Sequence, residues 1–449
     1  MNNVKYAAFF LTLILLIVSC DQPKNNTDIF NQQVEIVKAI SANRPDLESS
    51  PELVRQYIKS HYAVLEKSST IAVDLGRLGD VLFANKFYEH ARQVYLKMTE
   101  IEPKEHRWQA ILAVTLHRLS DIHAGVSYIA NASTLKPNDL ATVFYEAVLH
   151  EELGNYSEAK VLYGKAHSLS PEIVETNFAL GRLLFNLGEY QASLKYLETA
   201  TKLAPDSSLV RSQLVRLSKI MPVNIPIPDE AGASNNALLE IPHPYYLEIM
   251  AHGRSNNDLR FNARRAMATK NTGKAIDYLT MLIDNYPDSA FEHEYIDLAH
   301  YQAERGNFIR VKAIYIQAMN KFPSSAKALL GHADIEFKDR NLDQAEEGYR
   351  RALGVAESDG DQARVYQGLG RISATKGDLP SALNNLNKSV KLWPENPIFH
   401  MDLMRILADL GQYKKAKEHL DTAEKLGLKA PTGLRLKIYE LAASRNTDK

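Results

Sequence analysis

The sequence predicts an all-α fold built from repeated helix pairs. Four prolines recur every 34 residues, at Pro103, Pro137, Pro171 and Pro205. Apolar residues follow a helical period, and few stretches show the alternation that is typical of β-strands. A fixed period of roughly 20–50 residues indicates a solenoid, in which each repeat packs only on its neighbours. The chain is therefore predicted to be a helical-repeat protein.

Small and large side chains recur in step with these prolines. One small residue is followed four positions later by a large one in every repeat; the pairs are Ala91 and Tyr95, Gly125 and Ile129, Ala159 and Tyr163, and Ser193 and Leu197. A second column of small residues comprises Gly79, Ala113, Ala147 and Gly181. Small residues let two helices approach closely, and the large residue fills the space beside them. Proline cannot continue a helix, so it marks the turn into the next repeat.

The pattern returns after a break. The small anchors of the second set are Ala275, Val311, Ala345, Ala382 and Ala416. Their spacings are 36, 34, 37 and 34 residues, so insertions lengthen some of the turns. Four repeats, a gap and five further repeats are predicted.

These columns resemble the tetratricopeptide repeat (TPR) family, whose unit reads L-G-x-x-Y, then A-x-x-x-F, then P. One matching unit contains Leu180–Gly181, Gly188, Tyr190 and Pro205; another contains Leu153–Gly154, Tyr156, Ala159, Tyr163, Ala166 and Pro171. The resemblance implies a right-handed α-solenoid of helix–turn–helix units, with about nine repeats in two arrays.

The N-terminus predicts a targeting segment. Lys5 precedes an apolar run from Ala7 to Val18, which is the length of a signal-peptide core. The run ends in Ile17-Val18-Ser19-Cys20, which resembles the lipidation motif of a bacterial TPR-containing lipoprotein. Cys20 is the only cysteine of the chain and the expected lipidation site. We expect a membrane-anchored lipoprotein that faces the periplasm, with the inner or outer membrane left open. An ordinary signal peptide and an uncleaved anchor are the alternatives.

Shifts in composition suggest the domain organisation. Five prolines cluster between Met221 and Pro244, which predicts a linker or long surface loop. The predicted segments are 1–19 (lipoprotein signal peptide), 20–28 (lipidated tether), 29–68 (N-terminal capping helices), 69–220 (first TPR array), 221–244 (Pro-rich linker) and 245–449 (second TPR array with a C-terminal capping helix).

Composition and motifs argue against several functional classes. The 449 residues carry a net charge of −1, so no overall charge indicates nucleic-acid binding. Among the 14 histidines, none follows His293–Glu294 at the spacing that a zinc-protease helix needs, and neither a nucleophile elbow nor a phosphate-binding loop occurs. We therefore expect no metal, no cofactor and no catalytic residues, since the repeats occupy most of the mature chain.

The TPR resemblance implies that the first helix of each unit lines a concave groove. In the first array the aromatic groove candidates are Phe83, Phe144, Phe178 and Phe185. Arg182 lies among them and offers a guanidinium to a carboxylate. These side chains would suit a peptide; the alternative is that the phenylalanines pack between repeats.

The second array predicts a basic groove. Its arginine candidates are Arg260, Arg264, Arg371 and Arg405. An acidic peptide or a chain terminus would suit this lining, in which Asp334 is the main acidic exception. The alternative is that these charges are simply solvated.

The predicted function is therefore recognition. A lipid-anchored cell-envelope scaffold would bind a protein or peptide partner in its groove and hold it at the membrane. One alternative is an enzyme or enzyme accessory with its site in the groove or linker. Another is a structural or self-assembling spacer, since the sequence leaves the oligomeric state open.

Overall fold

The computed structural model describes residues 26–223 and 244–444. Those two ranges form 23 α-helices, one short 3-10 helix and no strand, which confirms the predicted all-α class. The predicted signal peptide, Cys20, the start of the tether and nearly all of the 221–244 linker lie outside the described residues.

The helices before the linker are short and of similar length. They are α1 (Asn26–Ala42), α2 (Glu52–Leu65), α3 (Ile71–Ala84), α4 (Tyr88–Ile101), α5 (His106–Arg118), α6 (Ile122–Leu135), α7 (Leu140–Glu152), α8 (Tyr156–Leu169), α9 (Val174–Asn186), α10 (Tyr190–Leu203) and α11 (Ser208–Ser218).

The helices after the linker continue the same alternation. They are α12 (Pro244–Met250), α13 (Asn256–Ala268), α14 (Thr272–Asn285), α15 (Glu292–Glu304), α16 (Phe308–Lys321), α17 (Ala326–Lys338), α18 (Leu342–Val355), α19 (Asp359–Thr375), α20 (Leu379–Leu392), α21 (Pro397–Asp409), α22 (Tyr413–Lys425) and α23 (Thr432–Ser444). A 3-10 turn at Pro287–Ser289 follows α14.

Nine helix pairs correspond to the nine predicted repeats. Four pairs, from α3/α4 to α9/α10, precede the linker, and five, from α13/α14 to α21/α22, follow α12. In the pairs from α3/α4 to α9/α10 and from α15/α16 to α21/α22, the two helices pack side by side. The predicted columns are confirmed as core, since the anchors Ala91, Ala159 and Ser193 are fully buried.

A left-handed residue joins the two helices of every repeat. In the first array this residue is Lys86, Ser120, Gly154 or Gly188, each with φ between 63° and 79°. At Gly154, its own N–H bonds the Glu151 carbonyl while the next N–H, of Asn155, bonds the His150 carbonyl. This Schellman pattern satisfies the last carbonyls of the first helix and reverses the chain. In the first array, the left-handed backbone conformation therefore recurs with the same 34-residue period as the prolines.

Glycines on the first helices make room for the large column. A Cβ atom at Gly79 would lie 2.7 Å from Cε1 of Tyr95, and one at Gly181 would lie 2.9 Å from Cγ of Leu197. These distances are shorter than atoms tolerate, so the close crossing of the two helices requires the small residue. The predicted pairing of small and large columns is confirmed.

The chain divides into two compact units, the first ending at Asp258 and the second beginning at Leu259. In the first unit α2 packs on α3 and buries Ile58, Tyr62 and Leu65, while α11 closes the other end against α10. In the second unit α23 packs on α22.

The sequence assigned residues from 245 onward to the second array, whereas the structure places 245–258 with the first unit. Helix α12 packs on α3 and α5 rather than beginning a new repeat. The reason is its burial: Ile249 is fully covered and joins the core cluster of the first unit.

Candidate functional site

The predicted aromatic residues of the first array are more buried than a free binding surface requires. Phe83 and Phe144 are only 1% and 3% exposed. Phe178 and Phe185 are half-buried against the cluster formed by α10 and α11, and the Arg216 guanidinium lies 4.8 Å from the Phe185 ring centre. The rings of Phe83, Phe144 and Phe185 each contact a tyrosine in the second helix of the same repeat; these tyrosines are Tyr88, Tyr163 and Tyr190. Partner binding at these residues stays a prediction.

Arg182 belongs to a polar set that recurs along the first helices. Its Nη2 lies 2.8 Å from Oε2 of Glu151 in the preceding repeat. The Tyr163 hydroxyl donates to the same carboxylate oxygen at 2.9 Å. A cleft of about 440 Å³ opens beside this pair and includes Val148, Tyr156 and Asn186 in its lining. The guanidinium therefore joins two repeats and also borders open space.

An equivalent set joins the first two repeats. The Tyr95 hydroxyl donates to Oδ1 of Asp80 at 2.9 Å, and Arg107 Nη2 lies 2.6 Å from Oδ2. Burial raises the pKa of Asp80 to about 6, against the opposing effect of the Arg107 charge. The carboxylate of Asp80 is nearly enclosed, so its charge depends on these two partners.

We call the face formed by α3, α5, α7 and α9 the first groove, and residues 244–258 the 244–258 segment. This segment lies on the first groove. The Tyr246 ring stands perpendicular to the Phe83 ring, with centres 6.1 Å apart. Tyr245 lies beside His106 at 5.8 Å and under the Arg107 guanidinium at 5.1 Å. The part of the groove nearest Phe83 is therefore covered by the chain itself.

Polar contacts extend this docking towards the N-terminal end of the unit. Oε2 of Glu248 accepts a bond of 2.7 Å from Arg107 Nη1. The carboxamide of Asn85 donates to the His252 carbonyl at 3.1 Å and accepts from the Arg254 N–H at 3.0 Å. The Arg254 guanidinium lies 4.0 Å from the Tyr57 ring centre. The first unit therefore contacts both the main chain and the side chains of the 244–258 segment.

Two of the predicted arginines of the second array differ sharply in their surroundings. Arg260 is mostly enclosed: Nε lies 2.5 Å from Oε1 of the buried Glu294, and Nη2 donates to the Ser289 carbonyl at 2.9 Å. Arg264, one helical turn further on, is exposed. The Arg260 charge is thus neutralised within the fold, because Glu294 lies opposite it on α15.

Arg371 and Arg405 lie together. Both face the buried carboxylate of Asp402, with N–O distances of 3.2 Å and 3.6 Å. Their side chains remain 45% and 56% exposed, so each presents donors to solvent as well. Gln367 adds a bond of 2.7 Å to Asp402. The acidic residue fixes the two guanidiniums without covering them.

A cleft of about 490 Å³ surrounds these two arginines. Its lining comes from the first helices of three successive repeats, α17, α19 and α21, and from the side chain of Leu386. Lys338 and Arg340 add positive charge, while Phe337 and Ile406 supply apolar surface. We call it the Arg371–Arg405 cleft. Its four cationic and two acidic side chains leave it net positive.

Sequence reasoning missed the acidic partners of the arginines and the docked segment. Glu294 and Asp402 lie outside the groove positions that the repeat pattern singles out, although both are adjacent to those positions on their helices. A signal for the segment was present in Tyr245-Tyr246-Leu247-Glu248-Ile249, an apolar and aromatic run just after the prolines.

Other kinds of site were sought in the part of the chain that the structure describes. There, no three His, Cys, Asp or Glu side chains are arranged to hold a metal ion. Across the same residues, no helix combines the length and apolar character needed to cross a bilayer.

Known solved structures with a related fold are distant. The yeast Tom70 crystal structure is 14% identical, covering 84% of this chain and 95% of its own, with a TM-score of 0.35. MamA from Desulfovibrio magneticus RS-1 is 18% identical over 43% of this chain and 97% of its own, with a TM-score of 0.33. A tetratricopeptide repeat protein from Parabacteroides merdae is 13% identical over 79% and 99%, with a TM-score of 0.29. No curated protein matches the chain significantly.

Family models match several parts of the sequence directly. Three models, each described as a tetratricopeptide repeat, cover residues 150–216, 262–289, 324–395 and 374–432. The matched ranges lie on both sides of the linker and cover helices of both arrays. These parts of the chain therefore match the tetratricopeptide repeat family.

Proposed function

We propose that the chain is a lipid-anchored scaffold of the bacterial cell envelope that binds a protein or peptide partner on the inner face of its repeats. Tetratricopeptide repeats generally bind proteins and are generally not enzymes, which supports the recognition role. The lipidation motif at Cys20 supports the anchor. The main structural support for partner binding is the Arg371–Arg405 cleft.

The chemistry of this cleft suits an acidic peptide. Two guanidiniums are held in place by Asp402 yet keep exposed donors, and a guanidinium binds a carboxylate through paired hydrogen bonds. Phe337 and Ile406 would receive an apolar side chain next to that carboxylate. The expected ligand therefore combines a carboxylate with a neighbouring aliphatic or aromatic residue.

Binding is tested with labelled synthetic peptides that place one or two carboxylates beside an apolar residue. Matched peptides carry amides instead of the carboxylates. In fluorescence anisotropy with the full chain in detergent, the acidic peptides should bind and weaken with salt. Arg405→Glu should lower their affinity about tenfold or more, equivalent to about 1.4 kcal/mol.

Arg350→Glu is the matched control for that experiment. Arg350 is 71% exposed on α18 and, among the described residues, forms an ion pair with Glu346 of its own helix, so the same charge reversal should leave peptide binding unchanged. Equal binding of the amide peptides, or indifference to Arg405→Glu, would contradict the proposed cleft. Hydrolytic activity that survives Arg405→Glu would favour the enzyme alternative, and self-association without a partner would favour the spacer.

The anchor is tested separately. Metabolic labelling with an alkyne fatty acid should tag the wild-type chain, and cell fractionation should find it with the membranes. Cys20→Ser should abolish both results. A Cys20→Ser chain that is still labelled, or an unlabelled wild type, would refute lipidation.

A further inference from the structure

The 244–258 segment occupies the first groove in the way that a bound peptide would. We propose that this segment is an intramolecular ligand of the first groove, and that a partner peptide with the same order of side chains must displace it. The order is two adjacent aromatic residues, one intervening residue, an acid and an aliphatic residue. This inference rests on the proposed recognition role and adds a regulatory device to it.

The aromatic pair of the segment has a separate contact for each ring. Tyr246 packs edge-on against Phe83, and the Arg118 guanidinium lies 6.0 Å from its ring centre. Tyr245 points to the other side, where its hydroxyl accepts a bond of 3.3 Å from Lys136 Nζ. Cations beside aromatic faces stabilise both rings. The groove thus distinguishes aromatic from aliphatic residues at these two positions.

The acid and the aliphatic residue differ in what they contribute. Glu248 is 62% exposed, so its ion pair with Arg107 adds little affinity but fixes the register of the segment. Ile249 is fully buried in the core cluster of the first unit, which makes it the main apolar anchor. A competing peptide must supply an equivalent of Ile249 to displace the segment.

Asn85 recognises the main chain beyond this helix. Its carboxamide both donates to the His252 carbonyl and accepts from the Arg254 N–H, so the two bonds hold the turn that follows α12. Main-chain bonds of this kind bind a peptide regardless of its sequence, while side-chain contacts give specificity. The combination is typical of peptide recognition rather than of repeat-to-repeat packing.

The docking is of a kind that an external ligand can reverse. Helix α12 has seven residues, too few to be stable as an isolated helix, so its order depends on the groove beneath it. The part of the first groove beneath α12 is built by α3 and α5, whose own core includes Leu75, Leu78 and Ile111. Covalent attachment gives the segment an effective concentration on the order of millimolar, which lowers the apparent affinity of a competitor.

The probe for this inference is a fluorescein-labelled synthetic peptide of residues 244–258. Its anisotropy is titrated with the full chain, either wild type or carrying Ile249→Asp, which removes the apolar anchor of the internal segment. We expect the peptide to bind the Ile249→Asp chain at least about tenfold more tightly than the wild type. Arg118→Glu added to the Ile249→Asp chain should weaken that binding, because Arg118 faces Tyr246.

Ile309→Asp is the matched control, since Ile309 on α16 is 88% exposed and the substitution is chemically identical. It should leave peptide affinity at the wild-type value. Ile249→Asp places a charge at a core position, so the fold of this variant is checked by circular dichroism. We expect its helical content to be close to that of the wild type. Tyr246→Ala is a second variant that weakens docking of the 244–258 segment, and it leaves Ile249 in place.

The inference would be overturned if the labelled peptide bound the wild type, Ile249→Asp and Tyr246→Ala chains with equal affinity, or bound none of them. An acidic peptide that still binds the Arg371–Arg405 cleft in the same preparations would confine that failure to the internal ligand. Loss of binding at both places would instead count against the proposed recognition role.

Discussion

Arg107 Nη2 lies 2.6 Å from Oδ2 of Asp80, so a side chain of the second repeat neutralises a nearly buried carboxylate of the first. The same arrangement, with a tyrosine hydroxyl and an arginine of the next repeat on one carboxylate, recurs at Glu151 and at Asp334. These sets tie neighbouring repeats together across their first helices. They also explain why arginines on a groove face are not all available to a partner.

Removing the Asp80 carboxylate should destabilise the first unit substantially. Asp80→Ala leaves Arg107 and the Tyr95 hydroxyl without their buried partner, so we expect a loss of about 3 kcal/mol. Asp334→Ala removes the equivalent carboxylate in the second unit, but that side chain is 49% exposed, and the loss should be under about 1 kcal/mol. Hydrogen exchange of the α3 and α17 amides measures the two effects separately. Equal losses would contradict the role given to burial.

The left-handed turn residues predict that exchanging serine and glycine has opposite effects on stability at equivalent positions of two repeats. Ser120 adopts φ 63° with a side chain that strains this conformation, and Ser120→Gly should stabilise the first unit by about 1 kcal/mol. Gly154→Ser makes the reverse change one repeat later, where no atom lies within 4 Å of a new Cβ, and should destabilise by a similar amount. Thermal unfolding followed by circular dichroism would test both. The same sign for the two changes would contradict the backbone explanation.

Small residues at helix crossings should not tolerate even one methyl group. Gly79→Ala places a carbon 2.7 Å from the Tyr95 ring and should cost about 1–3 kcal/mol. Gly164→Ala, on the outer side of α8 with nothing within 4 Å, should instead stabilise its helix by about 0.5–1 kcal/mol. Urea denaturation of the two variants would test this contrast. A neutral Gly79→Ala would mean that the two helices of this repeat can move apart without penalty.

Docking of the 244–258 segment should weaken below neutral pH. Burial, followed by the charges of Arg254, His61 and Arg77, lowers the pKa of His252 from 6.5 to about 4, while Glu248 opposes the shift. The undocked segment therefore binds more protons than the docked one between these values, and docking is lost progressively as the pH falls from 6.5 towards 4. Nδ1 of His252 and the Tyr57 hydroxyl lie 2.9 Å apart, and a protonated ring keeps this contact only by donating to the hydroxyl oxygen.

Hydrogen exchange of the α12 amides at pH 7 and pH 5, corrected for intrinsic rates, measures this effect. His252→Gln should reduce the difference between the two pH values. Three other groups titrate nearby: burial lowers the pKa of His61 and of His106, which acts in the same direction, and raises the pKa of Asp80 to about 6, which acts in the opposite direction. The comparison of wild type with His252→Gln isolates the His252 contribution, and identical pH profiles would refute it.

The sequence by itself determined the repeats, their number and nearly all of their helix pairs. It did so because helix length, the small anchor and the turn residue are local properties that recur every 34 residues, as Ala91 and Ala159 do with Tyr95 and Tyr163. Even the closing prolines lie in the predicted turns between repeats.

Only the tertiary structure decided what the grooves present. The bond between Tyr57 and His252 joins residues 195 positions apart, and no repeat pattern specifies such a pair. Likewise, Arg260 is enclosed against Glu294 of the next repeat, whereas Arg405 stays exposed beside Asp402 of its own helix, and the repeat pattern does not distinguish the two. Local periodicity builds the scaffold, whereas long-range contacts determine which of its charged and aromatic side chains remain open to a partner.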